Sequence, residues 1–309
     1  MLLKYLINTK PTIILFFIVF SIVFSCIPML HEEFNLLYPS NIISSILVFI
    51  MALIIPTFHA VGLNNLVYEN NIIKKDNFIL GPVFLLLTAP FLNVISAWII
   101  SFLILFFIHF LFDFYQKEHP LSQTFNASII LGVIAVYSPS IIWYFPLIII
   151  CSLIFQNISW RIIIISLIGL LTPIIFYSVF CYLTDKNMNI SIDFLSFNFK
   201  EIPTTNQLLL HEIIWFSVAV IICIFSIVEL FSWLYKKSIR SRKSFILILF
   251  LFLFSIALVC CTNSWYMILT PLSIIIANYF VYAKSRKIAN LLFLFFLISS
   301  FYYRIMITI

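Results

Sequence analysis

Long apolar stretches separated by short polar ones run along the whole of this 309-residue chain. A transmembrane helix needs about 20 mainly apolar residues, and the pattern divides into eleven such stretches. They lie at about 11–29, 41–60, 79–92, 94–112, 125–138, 140–156, 161–183, 208–235, 245–262, 265–283 and 288–305. The sequence therefore predicts an all-α, polytopic integral membrane protein, with residues 1–309 forming one membrane domain and no soluble domain.

Two longer apolar runs, 79–112 and 125–156, exceed one helix and are only just long enough for two. Pro90 and Asn93 interrupt the first run, and Pro139 interrupts the second. A proline removes an amide donor and disfavours helix in the residue before it. Each run is therefore predicted to form a hairpin with one short arm. Such an arm is either a full span or a re-entrant segment, which is tolerated only where other helices cover its backbone.

The distribution of basic residues predicts the orientation in the membrane. With a cytoplasmic N-terminus and eleven alternating spans, fourteen of the 17 lysines and arginines fall in cytoplasmic segments. The other three, Lys186, Lys200 and Arg304, are counted with the outside segments. The positive-inside rule favours this topology, with outside loops at about 30–40 and 184–207. The first stretch lacks a signal-peptidase site, so we expect an uncleaved first span in a bacterial inner membrane.

Composition excludes several classes of protein. Apolar residues make up 64% of the chain, charged residues 9%, and the mean hydropathy is +1.18. These values exclude a soluble enzyme, a disordered chain and a disulfide-stapled secreted module. The net charge of +6 follows from the positive-inside bias, so it predicts no nucleic-acid partner. The six cysteines lie in or beside apolar runs without ligand spacing, and they predict neither a disulfide nor a metal site.

The first outside loop holds three adjacent titratable side chains, His31, Glu32 and Glu33. Neighbouring carboxylates repel each other, so one of them could keep a proton more firmly and serve as a general base. The same carboxylates could hold a divalent cation; no other cofactor is predicted. The alternative is a short solvated loop whose charges mark the membrane boundary.

Two further pairs are candidate substrate-binding residues. His211 and Glu212 stand at the outer start of the eighth span, where Glu212 could face the bundle interior; a helix-end pair at headgroup level is the alternative. Asn64 and Asn65 are assigned to an amide-rich cytoplasmic loop that could bind a phosphate headgroup or be a plain loop. Glu229, near a cytoplasmic end, is expected to pair with Lys236 or Lys237 by snorkelling.

One stretch of the chain carries a family pattern. In order, its residues are Asn126, Gly132, Tyr137, Pro139, Trp160, Arg161, Gly169 and Pro173. This pattern resembles the membrane core of GT-C-type glycosyltransferases, which use polyprenyl-phosphate sugar donors. The segment from Leu63 to Pro90 is similar to their second cytosolic loop and following span. The resemblance implies a GT-C-like core and a catalytic acid in the first outside loop, where Glu32 and Glu33 stand, with His31 assisting.

The whole chain also resembles an uncharacterised family of polytopic inner-membrane proteins from Bacteroidota, which implies no activity. The leading hypothesis is a GT-C-like glycosyltransferase, or a degenerate relative, that acts on polyprenyl-linked sugars in cell-envelope glycan assembly. The alternatives are a non-catalytic subunit of an inner-membrane envelope complex and a lipid or solute transporter. The expected partners are membrane lipid, a polyprenyl-phosphate-linked sugar and other inner-membrane subunits.

Overall fold

The computed structural model describes residues 3, 6–7, 11–27, 42–75, 77–91, 95–185, 209–262 and 264–307. These residues form eleven α-helices: α1 Pro11–Cys26, α2 Ile42–Glu69, α3 Leu80–Leu87, α4 Ile95–Phe112, α5 Leu121–Tyr137, α6 Phe145–Phe155, α7 Trp160–Leu183, α8 Leu210–Leu234, α9 Ile239–Thr262, α10 Leu269–Tyr282 and α11 Arg286–Ile307. Short 3₁₀ helices at Ala89–Phe91, Pro139–Tyr144 and Trp265–Ile268 precede or follow them. The predicted outside loop at 30–40 and residues 186–207 of the second loop lie outside the described residues.

The all-α class is confirmed, and no strand occurs in the ranges given above. Each of the eleven apolar stretches overlaps one of the eleven helices. Five helical segments are long and apolar enough to cross a membrane: Trp160–Leu183, Leu210–Leu234, Ile239–Cys261, Trp265–Tyr282 and Arg286–Met306. The protein is therefore a helical membrane protein, and the count of eleven complete spans stays a prediction.

The first hairpin has one very short arm. Helix α3 has eight residues and is about 12 Å long, whereas the hydrocarbon core is about 30 Å thick. All eight of its residues are buried. The surrounding protein therefore covers this backbone, which is the condition under which a short arm is tolerated in a membrane.

The described residues divide into two compact units. The first contains Met1–Phe102, Pro203–Ser238 and Leu269–Ile309, and the second contains Leu103–Ile202 and Ile239–Ile268. The first unit holds α1, α2, α3, α8, α10 and α11. The second holds α5, α6, α7 and α9, and the chain passes from the first to the second within α4.

Helix ends in the first unit meet in two groups. At one end, which we call the Arg304 end, Arg304 Nη1 donates to the Phe24 carbonyl oxygen at 2.6 Å. At the same end the rings of His211 and Tyr303 lie 5.2 Å apart. These contacts join the end of α1, the start of α8 and the end of α11. The predicted alternation of spans puts those three ends on the same side of the membrane.

The opposite group of contacts forms what we call the Tyr282 end. The Lys74 backbone N–H donates to the Tyr282 hydroxyl oxygen at 3.1 Å. The Lys237 ammonium lies 4.8 Å from the centre of the Tyr282 ring and donates to Asn278 Oδ1 at 2.7 Å. The segments after α2, after α8 and at the end of α10 therefore meet, as the alternation also predicts.

The second unit is built around a close crossing of α5 and α7. A Cβ atom added at Gly132 would lie 2.5 Å from the Leu170 carbonyl oxygen. A Cβ added at Gly169 would lie 2.9 Å from the Phe125 carbonyl oxygen and 2.7 Å from Ser128 Cβ. The two helix backbones are thus almost in contact, a packing mode that small residues permit in membrane proteins.

Candidate functional site

The three residues first proposed for catalysis, His31, Glu32 and Glu33, lie outside the described residues, so their role stays a prediction. Within the described ranges, no group of three or more His, Cys, Asp or Glu side chains could hold a metal ion. The divalent-cation site considered for Glu32 and Glu33 also stays a prediction, because both residues lie outside the described ranges.

A buried arginine is the strongest functional feature of the described residues. Arg304, counted with the outside segments, lies in the last turn of α11 and is 1% exposed; its side of the membrane stays a prediction. Its guanidinium carbon lies 3.8 Å from the centre of the Phe24 ring, and its Nη1 donates to the Phe24 carbonyl. A guanidinium is costly to bury among apolar helices, so such a residue usually marks a partner or a functional site.

Aromatic and hydroxyl side chains surround the same helix ends. Trp215 Nε1 donates to Ser300 Oγ at 3.1 Å, and Ser300 Oγ donates to the Leu86 carbonyl oxygen at 3.2 Å. The Trp215 and Tyr303 rings lie 5.8 Å apart. These bonds fix α8, α11 and the short helix α3 to one another. We call Phe24, His211, Trp215, Ser300, Tyr303 and Arg304 the Arg304 cluster.

The predicted pair His211 and Glu212 is divided between two roles. His211 packs against Tyr303 and so belongs to the Arg304 cluster. Glu212 Oε2 accepts the backbone N–H of Leu209 at 3.1 Å, which closes the first turn of α8. The Glu212 carboxylate also interacts electrostatically with Tyr303. Glu212 is therefore a helix-capping residue at the edge of the cluster.

Asn64 and Asn65 were assigned to a loop, and this assignment was wrong. Both lie within α2, which continues to Glu69. The helix continues because Leu63, Leu66 and Val67 bury one face of it, and Asn65 Nδ2 donates to Glu69 Oε1 at 3.5 Å. The two amides lie toward the Tyr282 end of the first unit, so the structure does not bring them into the Arg304 cluster.

His59 is a candidate that the sequence analysis missed. Its side chain is fully buried in α2, and its ring stacks on Phe84 of α3 with centroids 4.2 Å apart. Neither ring nitrogen has a hydrogen-bond partner in the part of the chain that the structure describes. The signal available in the sequence is a single histidine in the middle of an apolar stretch. An ionisable residue in such a stretch usually marks a partner or a functional site.

Comparison of the chain with known protein families, with curated proteins and with solved structures gives no match.

Proposed function

We propose that this protein is a membrane-embedded glycosyltransferase that takes its sugar from a polyprenyl-phosphate donor. In this proposal it lies in a bacterial inner membrane with a cytoplasmic N-terminus, and the reaction belongs to assembly of cell-envelope glycans. The observation that supports the proposal is the buried Arg304 at the helix ends from which the segment containing Glu32 and Glu33 departs.

Arg304 suits the phosphate of such a donor. A guanidinium binds phosphate through two parallel hydrogen bonds, and it is always charged. In the Arg304 cluster it lies among aromatic rings at the end of apolar helices. A lipid phosphate needs the same combination, because its charged group lies next to a long hydrocarbon chain.

Chain length limits how far the two carboxylates can lie from this arginine. Glu32 follows Cys26, the last residue of α1, by six residues, and an extended chain spans about 3.5 Å per residue, or about 21 Å at most. The Phe24 carbonyl is the group that accepts the hydrogen bond from Arg304. The connecting chain is therefore short enough for Glu32 and Glu33 to act on a substrate whose phosphate is bound at Arg304.

The proposed step moves one proton and one glycosyl group. Glu32 or Glu33 accepts the proton of an acceptor hydroxyl, with His31 assisting, and the acceptor oxygen forms a bond to the anomeric carbon. The bond between that carbon and the phosphate oxygen breaks, and polyprenyl phosphate leaves with both electrons of the bond. Arg304 stabilises the leaving phosphate, and Glu212 keeps the first turn of α8 in place beside it.

The binding test uses the purified full-length chain in lipid nanodiscs. Undecaprenyl phosphate is the probe, and undecaprenol, which lacks the phosphate, is the comparison ligand. We expect Arg304→Lys to weaken binding of the phosphate by about tenfold or more, because a charged hydrogen bond contributes about 1.5–3 kcal/mol. Binding of undecaprenol should be unchanged. Equal affinity of wild type and Arg304→Lys for undecaprenyl phosphate would contradict the assignment of Arg304.

The catalytic test measures release of undecaprenyl phosphate from a panel of undecaprenyl-phosphate sugars. Membranes from a strain that lacks this protein supply the acceptor. We expect Glu32→Gln with Glu33→Gln to abolish release while binding of undecaprenyl phosphate is retained. Glu118→Gln is the matched control, since Glu118 is an exposed residue between α4 and α5. Full activity of the double variant would refute the proposal.

A further inference from the structure

A pocket of about 450 Å³ opens beside the last two turns of α8 in the first unit, next to the loop that joins α10 to α11. Phe225 and Val228 form its apolar wall, and both are exposed on the outer surface of α8. Glu229, Ser232, Lys236 and Lys284 also line it, and the two lysines follow the ends of α8 and α10. The pocket is therefore apolar on the side of the helix interior and basic at the helix end.

Among the described residues that line this pocket, Glu229 supplies the carboxylate. Glu229 interacts electrostatically with Lys284, although no salt bridge within 4.0 Å joins the two side chains. Of the two pairings expected for Glu229, the one with Lys236 was wrong, because no salt bridge within 4.0 Å joins them. Lys237 donates to Asn278, and its pairing with Glu229 stays a prediction. Two lysines and one glutamate therefore line the pocket, which leaves one net positive charge.

Lys236 is held in place by aromatic rings. Its ammonium lies 4.6 Å from the centre of the Trp233 ring and 5.4 Å from that of Tyr235. Among the described residues, no carboxylate lies within 4.0 Å of this ammonium. Cation–π contacts orient an ammonium without neutralising its charge. Lys236 is thus a positioned cation that can still bind an anion.

We propose that this pocket binds the headgroup of an anionic phospholipid, with the lipid phosphate at Lys236 and Lys284. Two ammonium groups and one carboxylate leave one net positive charge, which complements a single phosphodiester. The apolar wall of Phe225 and Val228 continues along the lipid-facing surface of α8, where it can contact the glycerol and the first methylenes of the acyl chains. Free phosphate would bind the two lysines but would make no contact with the apolar wall of Phe225 and Val228.

The proposal is independent of the transferase activity, because it concerns the Tyr282 end of the first unit and the proposed donor site lies at the Arg304 end. Basic residues near a membrane surface contribute about 1 kcal/mol each to binding of anionic lipid. Loss of one lysine should therefore weaken binding by about fivefold.

The test is native mass spectrometry of the full-length chain after delipidation in detergent. Phosphatidylglycerol, phosphatidylcholine and inorganic phosphate are titrated separately, and inorganic phosphate is also added as a competitor. We expect phosphatidylglycerol to bind first and to resist inorganic phosphate. Lys236→Gln should weaken this binding about fivefold, and Ser232→Glu, which adds a negative charge at an exposed position of the pocket, should weaken it at least as much.

Lys287→Gln is the matched control, since Lys287 is an exposed lysine three residues beyond Lys284 and outside the pocket lining. It should leave affinity for phosphatidylglycerol within about twofold, well below the effect of removing a pocket lysine. Wild-type affinity in Lys236→Gln would overturn the proposal. Equal binding of phosphatidylcholine would overturn the charge argument, and displacement by inorganic phosphate would show that the pocket takes phosphate without its lipid.

Discussion

Alanine at position 132 would force two helix backbones apart in the second unit. The new Cβ would lie 2.5 Å from the Leu170 carbonyl oxygen and 2.9 Å from two ring carbons of Pro173. Neither group is a flexible side-chain end, since one belongs to the α7 backbone and the other is a ring closed onto that backbone. The strain has no local relief, so we expect α5 and α7 to separate.

The size of the effect follows from two opposing contributions. Replacing glycine by alanine within a helix stabilises it by about 1 kcal/mol. Overpacking a close interface costs about 1–3 kcal/mol. Because the contact at Gly132 is the shortest of the three glycine contacts, we expect the upper part of this range. Gly132→Ala should therefore lower the free energy of unfolding by about 1–2 kcal/mol.

The assay is thermal unfolding of the purified chain in detergent, followed by tryptophan fluorescence. A change of this size should lower the melting temperature by a few degrees, at about 2–4 °C per kcal/mol for a chain of several hundred residues. Gly81→Ala is the matched control. Its Cβ would lie 3.0 Å from the end of the Phe17 ring, which can shift by a few tenths of an ångström, so the melting temperature should stay unchanged or rise.

A second variant tests the geometry of the crossing. Gly169→Ala places its Cβ 2.9 Å from the Phe125 carbonyl oxygen on the opposite helix and should destabilise to a similar extent. The separation of α5 and α7 that relieves one substitution also relieves the other, so the double variant should lose less stability than the sum of the single variants. Unchanged melting temperatures in both single variants, or full additivity in the double variant, would refute a shared close contact.

Three further predictions concern the first unit. Trp215→Phe should lower the free energy of unfolding by about 1 kcal/mol, because it removes the hydrogen bond to Ser300, and the same melting assay measures this loss. His59→Phe should raise the melting temperature, because it replaces two unpartnered buried ring nitrogens by apolar atoms. A lower melting temperature would contradict the apolar surroundings of the His59 ring. Burial lowers the pKa of Lys237 from 10.5 to about 8, so the unfolded chain binds more protons between these values, and stability should rise as the pH increases from about 8 to about 10.5. Lys237→Gln should abolish that part of the pH dependence.

Helix positions could be predicted from the sequence because lipid sets a simple length requirement. About 20 apolar residues are needed to cross the membrane, and each predicted stretch overlaps a helix. The ends were less predictable where a helix continues into polar sequence. Helix α2 runs to Glu69, since buried Leu66 and Val67 keep one face packed after hydropathy has fallen. A hydropathy window averages over all faces of a helix, so it places the end of such a helix too early.

Contacts between distant parts of the chain could not be predicted from the local pattern. Arg304 and Phe24 are 280 residues apart, and Trp215 and Ser300 are 85 residues apart. Which helix ends meet depends on packing of the whole first unit, and apolar helices carry little information about their neighbours. The sequence therefore does not indicate that Arg304 is buried against Phe24, which depends on the fold.

The residues that carry the GT-C resemblance coincide with the tightest helix packing in the second unit. Gly132, Gly169 and Pro173 belong to the family pattern, and in this fold they form the α5–α7 crossing. Close packing requires small residues there in any protein that brings two such helices together, so those positions bear on architecture. The chemistry of the proposed transferase depends on a different set of residues, the Arg304 cluster and the carboxylates tethered to it. Destabilisation by Gly132→Ala and loss of donor binding by Arg304→Lys are therefore separable outcomes, one of packing and one of function.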